Sequence, residues 1–208
     1  MAQQPASRFD PKTRPPANAH APDKEARRRS PGVGRHVCLQ IHATGVSPWG
    51  GDRIIEIACV ELRDRKFTGH DKHFYLNPGC AVQQDALAVH GITHGFLRNK
   101  PIFATVAKEL QAYLQGAAIL MYFAPFTSGF LDMELARLHQ PALAEFTESM
   151  TDILELSSET LPGRQHSLAA VSKRLGLPVD HGRYDAAMQT ARQVAEIYLR
   201  LTHRPKAP

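Results

Sequence analysis

The chain has 208 residues, of which 43% are hydrophobic and 22% charged, with a formal net charge of +5, and these values are typical of a soluble one-domain protein. The longest apolar run, residues 117–126, is too short to span a bilayer, and the polar N-terminus lacks the apolar stretch of a signal peptide. We therefore expect no membrane partner. The three cysteines are widely spaced and form no disulfide or zinc pattern, so we expect a cytoplasmic location.

Residues 1–34 differ in composition from the rest of the chain. They hold six of the 15 prolines and seven Lys or Arg residues against three acids, whereas residues 35–208 hold 18 against 17. We therefore predict a disordered basic tail over 1–34, a folded domain over 35–203 and a short tail over 204–208. The cluster Arg27–Arg29 is compatible with an arm that contacts nucleic-acid phosphates, although composition favours a solvated leader.

Three strands are predicted at the start of the domain, over residues 36–42, 53–62 and 71–77. The second is β-branched and apolar enough for a central strand, and a polar turn over 63–69 separates it from the third. Such an order indicates a meander.

Helical spacing follows the three strands. The apolar positions of residues 103–114 recur at helical intervals, and Pro101 and Gly116 mark the two ends of this helix. The remaining predicted elements, in chain order, are a buried strand over 118–122, a helix over 126–138, a short strand near Ile153, a helix from the cap Ser167 to Leu175, and a helix over 184–201. This order predicts an α/β fold with a mixed sheet covered by helices.

Several short motifs occur in one order along the domain: Gly51–Ile57, Val89–Thr93, Lys100–Phe103, Ala124–Phe126, Gly129–Leu131, His166–Leu168 and Ala195–Leu199. Their order and spacing, more than any single motif, resemble the DnaQ-like (DEDDh) exonuclease family over residues 35–202. The resemblance implies a ribonuclease H-like fold, with a five-stranded mixed sheet flanked by helices and the active site on the first strand.

Members of this family, of which proofreading subunits of bacterial replicative polymerases are the best known, hydrolyse phosphodiesters from the 3′ end with two Mg²⁺ or Mn²⁺ ions. Two such ions, about 4 Å apart, activate a water molecule and stabilise the leaving oxygen, and carboxylates offset their charge. Two acids at i and i+2 of a strand face the same side, which explains the alternating first motif of the family.

The resemblance places other residue types at these positions. Gln40 and His42 stand at the two first-strand acids, Thr127 at the third acid and Thr190 at the final acid, while Asp185 stands at the general base. Because amide, hydroxyl and imidazole groups are poor ligands for hard cations, we expect no intact catalytic site and no metal cofactor.

Neighbouring residues do not restore the pattern. His181 and Tyr184 lack an acid at the required spacing, and a slip of one residue brings only Gln189 to the metal position. A His42–Asp185 pair that binds one zinc or manganese ion is a minor alternative, because two ligands are fewer than such sites use.

Four other acids are interpreted as structural. Asp132, Glu134 and Asp152 lie near family motifs and are expected to be surface or capping residues, and Glu56, inside the second strand, is expected to be buried against a partner.

The leading hypothesis is a pseudoexonuclease that acts by binding nucleic acid or protein. Backbone amides at Ala43, Thr44 and Gly45 are the candidate nucleic-acid contacts, and the partners implied are a single-stranded DNA 3′ end and a replicative polymerase subunit. The alternatives are an active metal-dependent 3′–5′ DNA exonuclease that releases nucleoside monophosphates through a non-standard site, and a protein-interaction module.

Overall fold

A computed structural model describes residues 34–163, 165–178 and 186–203. The predicted tails, apart from Gly34, lie outside the described residues, as do His181, Tyr184 and Asp185.

The described strands form one mixed sheet in the order β3-β2-β1-β5-β6, with β4 paired to β2. β1 and β2 are antiparallel, whereas β1, β5 and β6 run parallel to one another. The α/β architecture with a mixed sheet is therefore confirmed. The strands are β1 (Arg35–Ala43), β2 (Ile54–Arg63), β3 (Lys66–Phe67), β4 (Lys72–Tyr75), β5 (Ala118–Met121) and β6 (Ser149–Asp152).

The third predicted strand is confirmed as β4, and a short strand that was not predicted, β3, precedes it; β3 and β4 pair with successive parts of β2. The predicted turn over 63–69 contains β3, because Asp64 and Arg65 adopt φ angles of 48° and 67° and close a two-residue hairpin. The sheet thus has six described strands, although it occupies the five positions that were predicted.

The four longer predicted helices are confirmed, and α7 is capped as expected by Ser167, whose side chain accepts a hydrogen bond from the Ala170 amide. The strand predicted near Ile153 is displaced: β6 ends at Asp152, whose carboxylate caps the helix that begins at Ile153. Four short helices were not predicted. The helices are α1 (Gln84–His90), α2 (His94–Leu97), α3 (Phe103–Leu114), α4 (Ala124–Arg137), α5 (Leu143–Phe146), α6 (Ile153–Thr160), α7 (Leu168–Arg174) and α8 (Ala186–Leu201).

Alternation along β1 divides the core between the two faces of the sheet. Leu39 and Ile41 pack with α3 and α4 on one face, whereas Cys38 packs with α8 on the other. Cys38 and Cys59 are fully buried and free, as expected, and burial raises the pKa of both thiols. Of the helices described, none is both long and apolar enough to cross a membrane.

Candidate functional site

The α8 face of the sheet becomes polar at the carboxyl end of β1. Gln40 and His42 alternate with the core residues of β1, and the register pairs His42 with Glu56 on β2 and Glu56 with Tyr75 on β4. Cross-strand partners share a face of a sheet, so these three side chains form one row across three strands.

Glu56 lies at the centre of this row and is completely buried. Its Oε2 atom is 2.7 Å from Nδ1 of His42, and its Oε1 atom is 2.7 Å from Nε2 of His73. Burial by itself raises the pKa of Glu56, but the hydrogen bonds from the two histidines outweigh it and lower the pKa to about 2. The prediction of a partner-bonded buried acid is therefore confirmed.

The charge of Glu56 fixes the orientation of His42. A carboxylate only accepts hydrogen bonds, so Nδ1 of His42 must carry the donated hydrogen. The His42 side chain is 20% exposed, whereas the Glu56 side chain beneath it is inaccessible. Solvent at this site thus meets an imidazole edge where the family resemblance assigns an acid.

A second histidine, His90, completes the site and was noted in the sequence only as part of the Val89–Thr93 motif. Its ring centroid lies 5.3 Å from that of His42, and its Nδ1 accepts a hydrogen bond from the Ile92 amide at 3.0 Å. Burial, and then the proximity of His42, lower the pKa of His90, which favours the neutral ring.

The other family positions that the structure describes, Gln40, Thr127 and Thr190, carry uncharged side chains. Gln40 is buried and its Nε2 atom has no hydrogen-bond partner within the described residues, Thr127 is buried on α4, and Thr190 is half-buried on α8. Asp185 lies outside the described residues. In the part of the chain that the structure describes, no three His, Cys, Asp or Glu residues are grouped to hold a metal ion. A neutral amide, a hydroxyl and an imidazole whose Nδ1 is engaged do not fit a pair of hard dications.

The nearby acids have structural partners. Asp132 accepts a hydrogen bond from the Leu143 amide, and Asp152 caps both α4 and α6, so the prediction of capping residues is confirmed for these two. Glu134 is not a surface acid: it is buried and makes two hydrogen bonds of 2.6 and 2.8 Å to the Arg53 guanidinium. The hydrogen bonds with Glu134 raise the pKa of Arg53.

The predicted nucleic-acid contacts, Ala43, Thr44 and Gly45, are buried beside β1. The Thr44 amide donates to the Arg53 carbonyl at 2.8 Å, so this group is already used within the fold.

Sequence reasoning missed the role of Asp52, which lies inside the Gly51–Ile57 motif. Its carboxylate accepts hydrogen bonds from the Thr44 hydroxyl, the Ser47 amide and the Gln83 side chain. Gly45 is required here because a Cβ atom would lie 2.4 Å from the Asp52 carboxylate.

An apolar cleft of about 180 Å³ lies between the loop after β1 and the start of α4. The Phe123 ring is 51% exposed and stacks on Phe126 at 6.5 Å, with an angle of 18° between the planes. Phe123 has a φ of 61°, an unusual value for a bulky residue, and its amide donates to Asp152. We call this feature the aromatic cleft; it is lined by Val46, Pro48, Trp49, Phe123, Pro125 and Phe126.

Comparison with known proteins identifies a family for this chain. The family model described as Exonuclease matches residues 41–194. The DNA polymerase III subunit epsilon of Pasteurella multocida is 36% identical over 172 residues, which cover 81% of this chain and 68% of that protein. The subunit of the same name from Escherichia coli is 35% identical over 179 residues, which cover 83% of this chain and 73% of that protein.

Two solved structures share the fold. The nuclease domain of 3'hExo, a DEDDh family member bound to rAMP, has a TM-score of 0.68 and 19% identity and covers 81% of this chain and 91% of its own. E. coli Exonuclease I in complex with a dT13 oligonucleotide has a TM-score of 0.68 and 18% identity and covers 80% of this chain and 40% of its own. The predicted ribonuclease H-like fold is confirmed.

Proposed function

Because the chain belongs to the exonuclease family, we propose that it is a pseudoexonuclease, which binds the 3′ end of single-stranded DNA at the family site without hydrolysing it. We also propose a cytoplasmic location, because the three cysteines are free, as is usual for proteins in a reducing compartment.

The observation that carries the proposal is the charge balance around His42. The buried carboxylate nearest to the first-strand position is already compensated by two imidazole N–H groups, and Gln40, Thr127 and Thr190 supply no further negative charge. Two divalent ions require several anionic oxygens, so we propose that the protein works without a metal cofactor.

Binding does not need those anions. A site with fewer carboxylates repels phosphate less, and the aromatic cleft offers Trp49 and Phe123 as exposed rings on which a base can stack. The relation to E. coli Exonuclease I, which is described in complex with dT13, supports a single strand as the ligand.

The test is a fluorescence anisotropy titration with labelled dT12 at low salt, in EDTA and again in Mn²⁺, with a nuclease assay on the same samples. We expect equal binding in both buffers, weaker binding as salt rises, and no release of nucleotides. Trp49→Ala is expected to weaken binding about tenfold, because one stacked base contributes about 1–3 kcal/mol. Phe67→Ala, which removes an exposed ring on β3, is the matched control and is expected to bind as wild type.

The outcome that contradicts the proposal is metal-dependent release of nucleoside monophosphates that His42→Ala abolishes. That result supports the alternative of an active 3′–5′ exonuclease with a non-standard site.

A second candidate function is favoured by the curated relatives, which are named as subunits of DNA polymerase III. We propose a replicative polymerase subunit as a protein partner. A complex with the polymerase of the source organism that survives gel filtration without nucleic acid supports this function, and separate elution at micromolar concentration contradicts it.

A further inference from the structure

We infer that a second surface, beside the proposed 3′-end site, binds the single strand where it leaves that site. We call it the basic aromatic surface; it consists of Tyr75, Phe96, Arg98 and Lys100. The inference rests on the proposed function, since it concerns the path of the same strand. It assigns to that path four residues that are not among the family's metal-ligand or general-base positions.

The surface is continuous with the His42–Glu56 row. Tyr75 is the register partner of Glu56, and the ring of His73, which bonds Glu56, lies 4.7 Å from the Tyr75 ring. A strand whose 3′ end lies at His42 therefore reaches this surface by crossing β2 to the edge strand β4.

The rings and the cation of this surface contact one another. The Phe96 ring meets the Tyr75 ring edge to face at 4.9 Å, and the Lys100 Nζ atom lies 4.3 Å from the Phe96 centroid and 5.8 Å from that of Tyr75. An aromatic ring beside a cation is the combination that holds a base and its phosphate in single-strand binding proteins.

Local structure keeps Phe96 at the surface. Thr93 caps α2 by accepting a hydrogen bond from the Phe96 amide, and the next residue, Leu97, occupies the core position. Phe96 is consequently 44% exposed although it is a large apolar side chain.

The charge of this segment favours phosphate. Residues 86–108 contain no Asp or Glu but contain Arg98, Lys100 and Lys108, whereas residues 35–208 as a whole carry only one excess positive charge. Arg98 is exposed and lies between Phe96 and Lys100 in the sequence. An acidic peptide would use these cations but not the rings, so the combination favours a nucleic-acid strand.

The spacing gives a length threshold. His42 and Tyr75 are two strand spacings apart, about 10 Å, and Phe96 lies one ring contact further, so the path is about 15 Å. A strand that stays stacked rises about 3.4 Å per nucleotide, so a stacked strand needs more than about four nucleotides to contact both sites.

The test compares labelled dT3 and dT12 on the full chain in EDTA at low salt, with wild type, the double variant Phe96→Ala/Lys100→Gln and the control Phe67→Ala/Lys66→Gln. The control removes the same two residue types from β3, where both side chains are exposed and Phe67 pairs with the opposite end of β2. We expect the test variant to lose about tenfold in affinity for dT12 and nothing for dT3, and the control to match wild type for both.

Each other outcome has a distinct meaning. If wild type binds dT12 more tightly than dT3 and the test variant keeps that difference, the inference about this surface is wrong while the proposed function stands. If wild type binds neither oligonucleotide, the proposed function fails first. Displacement of dT12 by poly-glutamate as effectively as by unlabelled dT12 overturns nucleic acid as the occupant. Unchanged dT3 binding by the test variant also reports that it is folded.

Discussion

His42 Nδ1 lies 2.7 Å from Oε2 of Glu56, so a base and an acid face each other where the family resemblance places an acid at residue 42. Two carboxylates at that separation repel each other in the absence of a metal ion, whereas a histidine donates a hydrogen bond. The substitution therefore removes a metal ligand and satisfies a buried carboxylate in the same step. The stability of the fold should consequently depend on this contact rather than on a bound ion.

The first prediction concerns the pH dependence of stability through Glu56. Its pKa of about 2 in the fold lies below the ordinary 4.5, so its contribution is complete above about pH 5 and is lost as pH falls from 4.5 toward 2. Glu56→Gln is expected to lower the free energy of unfolding at pH 7 by about 3 kcal/mol, because lowering the pKa from 4.5 to about 2 is worth about 1.4 kcal/mol for each pKa unit.

Urea unfolding of wild type and Glu56→Gln at pH 7, 5 and 3 checks this dependence. The difference between the two proteins should narrow at pH 3. Glu155→Gln, which changes an exposed acid on α6, is the control and should follow wild type throughout. A difference between Glu56→Gln and wild type that is the same at all three pH values would show that the carboxylate charge is not its source.

The second prediction concerns the Arg53–Glu134 pair, which joins the start of β2 to α4. Glu134 is buried and also pairs with Arg137 at 3.1 Å. Replacing its carboxylate by a neutral amide removes the charge and one of the two oxygens that accept hydrogen bonds from guanidinium groups. We expect Glu134→Gln to destabilise the fold by about 2–3 kcal/mol, less than for a fully buried pair because Arg53 is partly exposed. Thermal unfolding at pH 7 measures this change, and a loss no larger than that of Glu155→Gln contradicts the assignment.

The third prediction concerns the close contact at Gly45. A Cβ atom there would lie 2.4 and 2.5 Å from the Asp52 carboxylate oxygens and 2.5 Å from Gln83 Nε2, so the Asp52 network must move. Gly45→Ala is expected to cost about 1–3 kcal/mol of stability, as overpacking does in other proteins.

Gly95→Ala is the matched control for Gly45→Ala. Its Cβ atom would meet only Thr93 Oγ1, at 3.9 Å, and alanine favours helix α2, so its stability should be equal or slightly higher. Urea unfolding of the two variants tests the contrast. Equal changes in the free energy of unfolding would mean that the close contact at Gly45 does not restrict this position to glycine.

Much of the fold was predictable because it follows from periodicity. The apolar spacing of residues 103–114 and the cap at Ser167 fix α3 and α7 through local interactions. The element boundaries that were predicted wrongly are those set by side chains whose partners are far away in the sequence. Asp152 ends β6 because it caps two helices, one of them 28 residues earlier in the sequence, and no local pattern signals that contact.

The site was predictable only in part for the same reason. The positions of Gln40 and His42 follow from alternation on one strand, but the partners of Glu56 depend on the register of three strands. His73 lies on a predicted strand, and only that register brings it to Glu56. The role of Asp52 similarly depends on Gln83, which is 31 residues away.

The last prediction separates stability from binding at Phe123. The left-handed backbone costs Phe123 about 1–2 kcal/mol, and glycine at this position avoids that cost. Glycine also loses more backbone entropy on folding, which offsets part of the gain, so Phe123→Gly should not destabilise the fold. His139→Gly is the control: this exposed residue has a φ of 55° just after the other end of α4, and its substitution should raise the free energy of unfolding by about 0.5–1 kcal/mol.

Of Phe123 and His139, Phe123 alone lines the aromatic cleft, so the two variants should differ in binding. We expect Phe123→Gly to weaken dT12 binding about tenfold, which corresponds to the loss of about one stacked base, and His139→Gly to bind as wild type. Anisotropy titrations in EDTA, paired with urea unfolding of the same samples, measure both properties. Unchanged affinity in a stable Phe123→Gly protein would mean that the exposed ring has no part in binding and that its backbone strain has another origin.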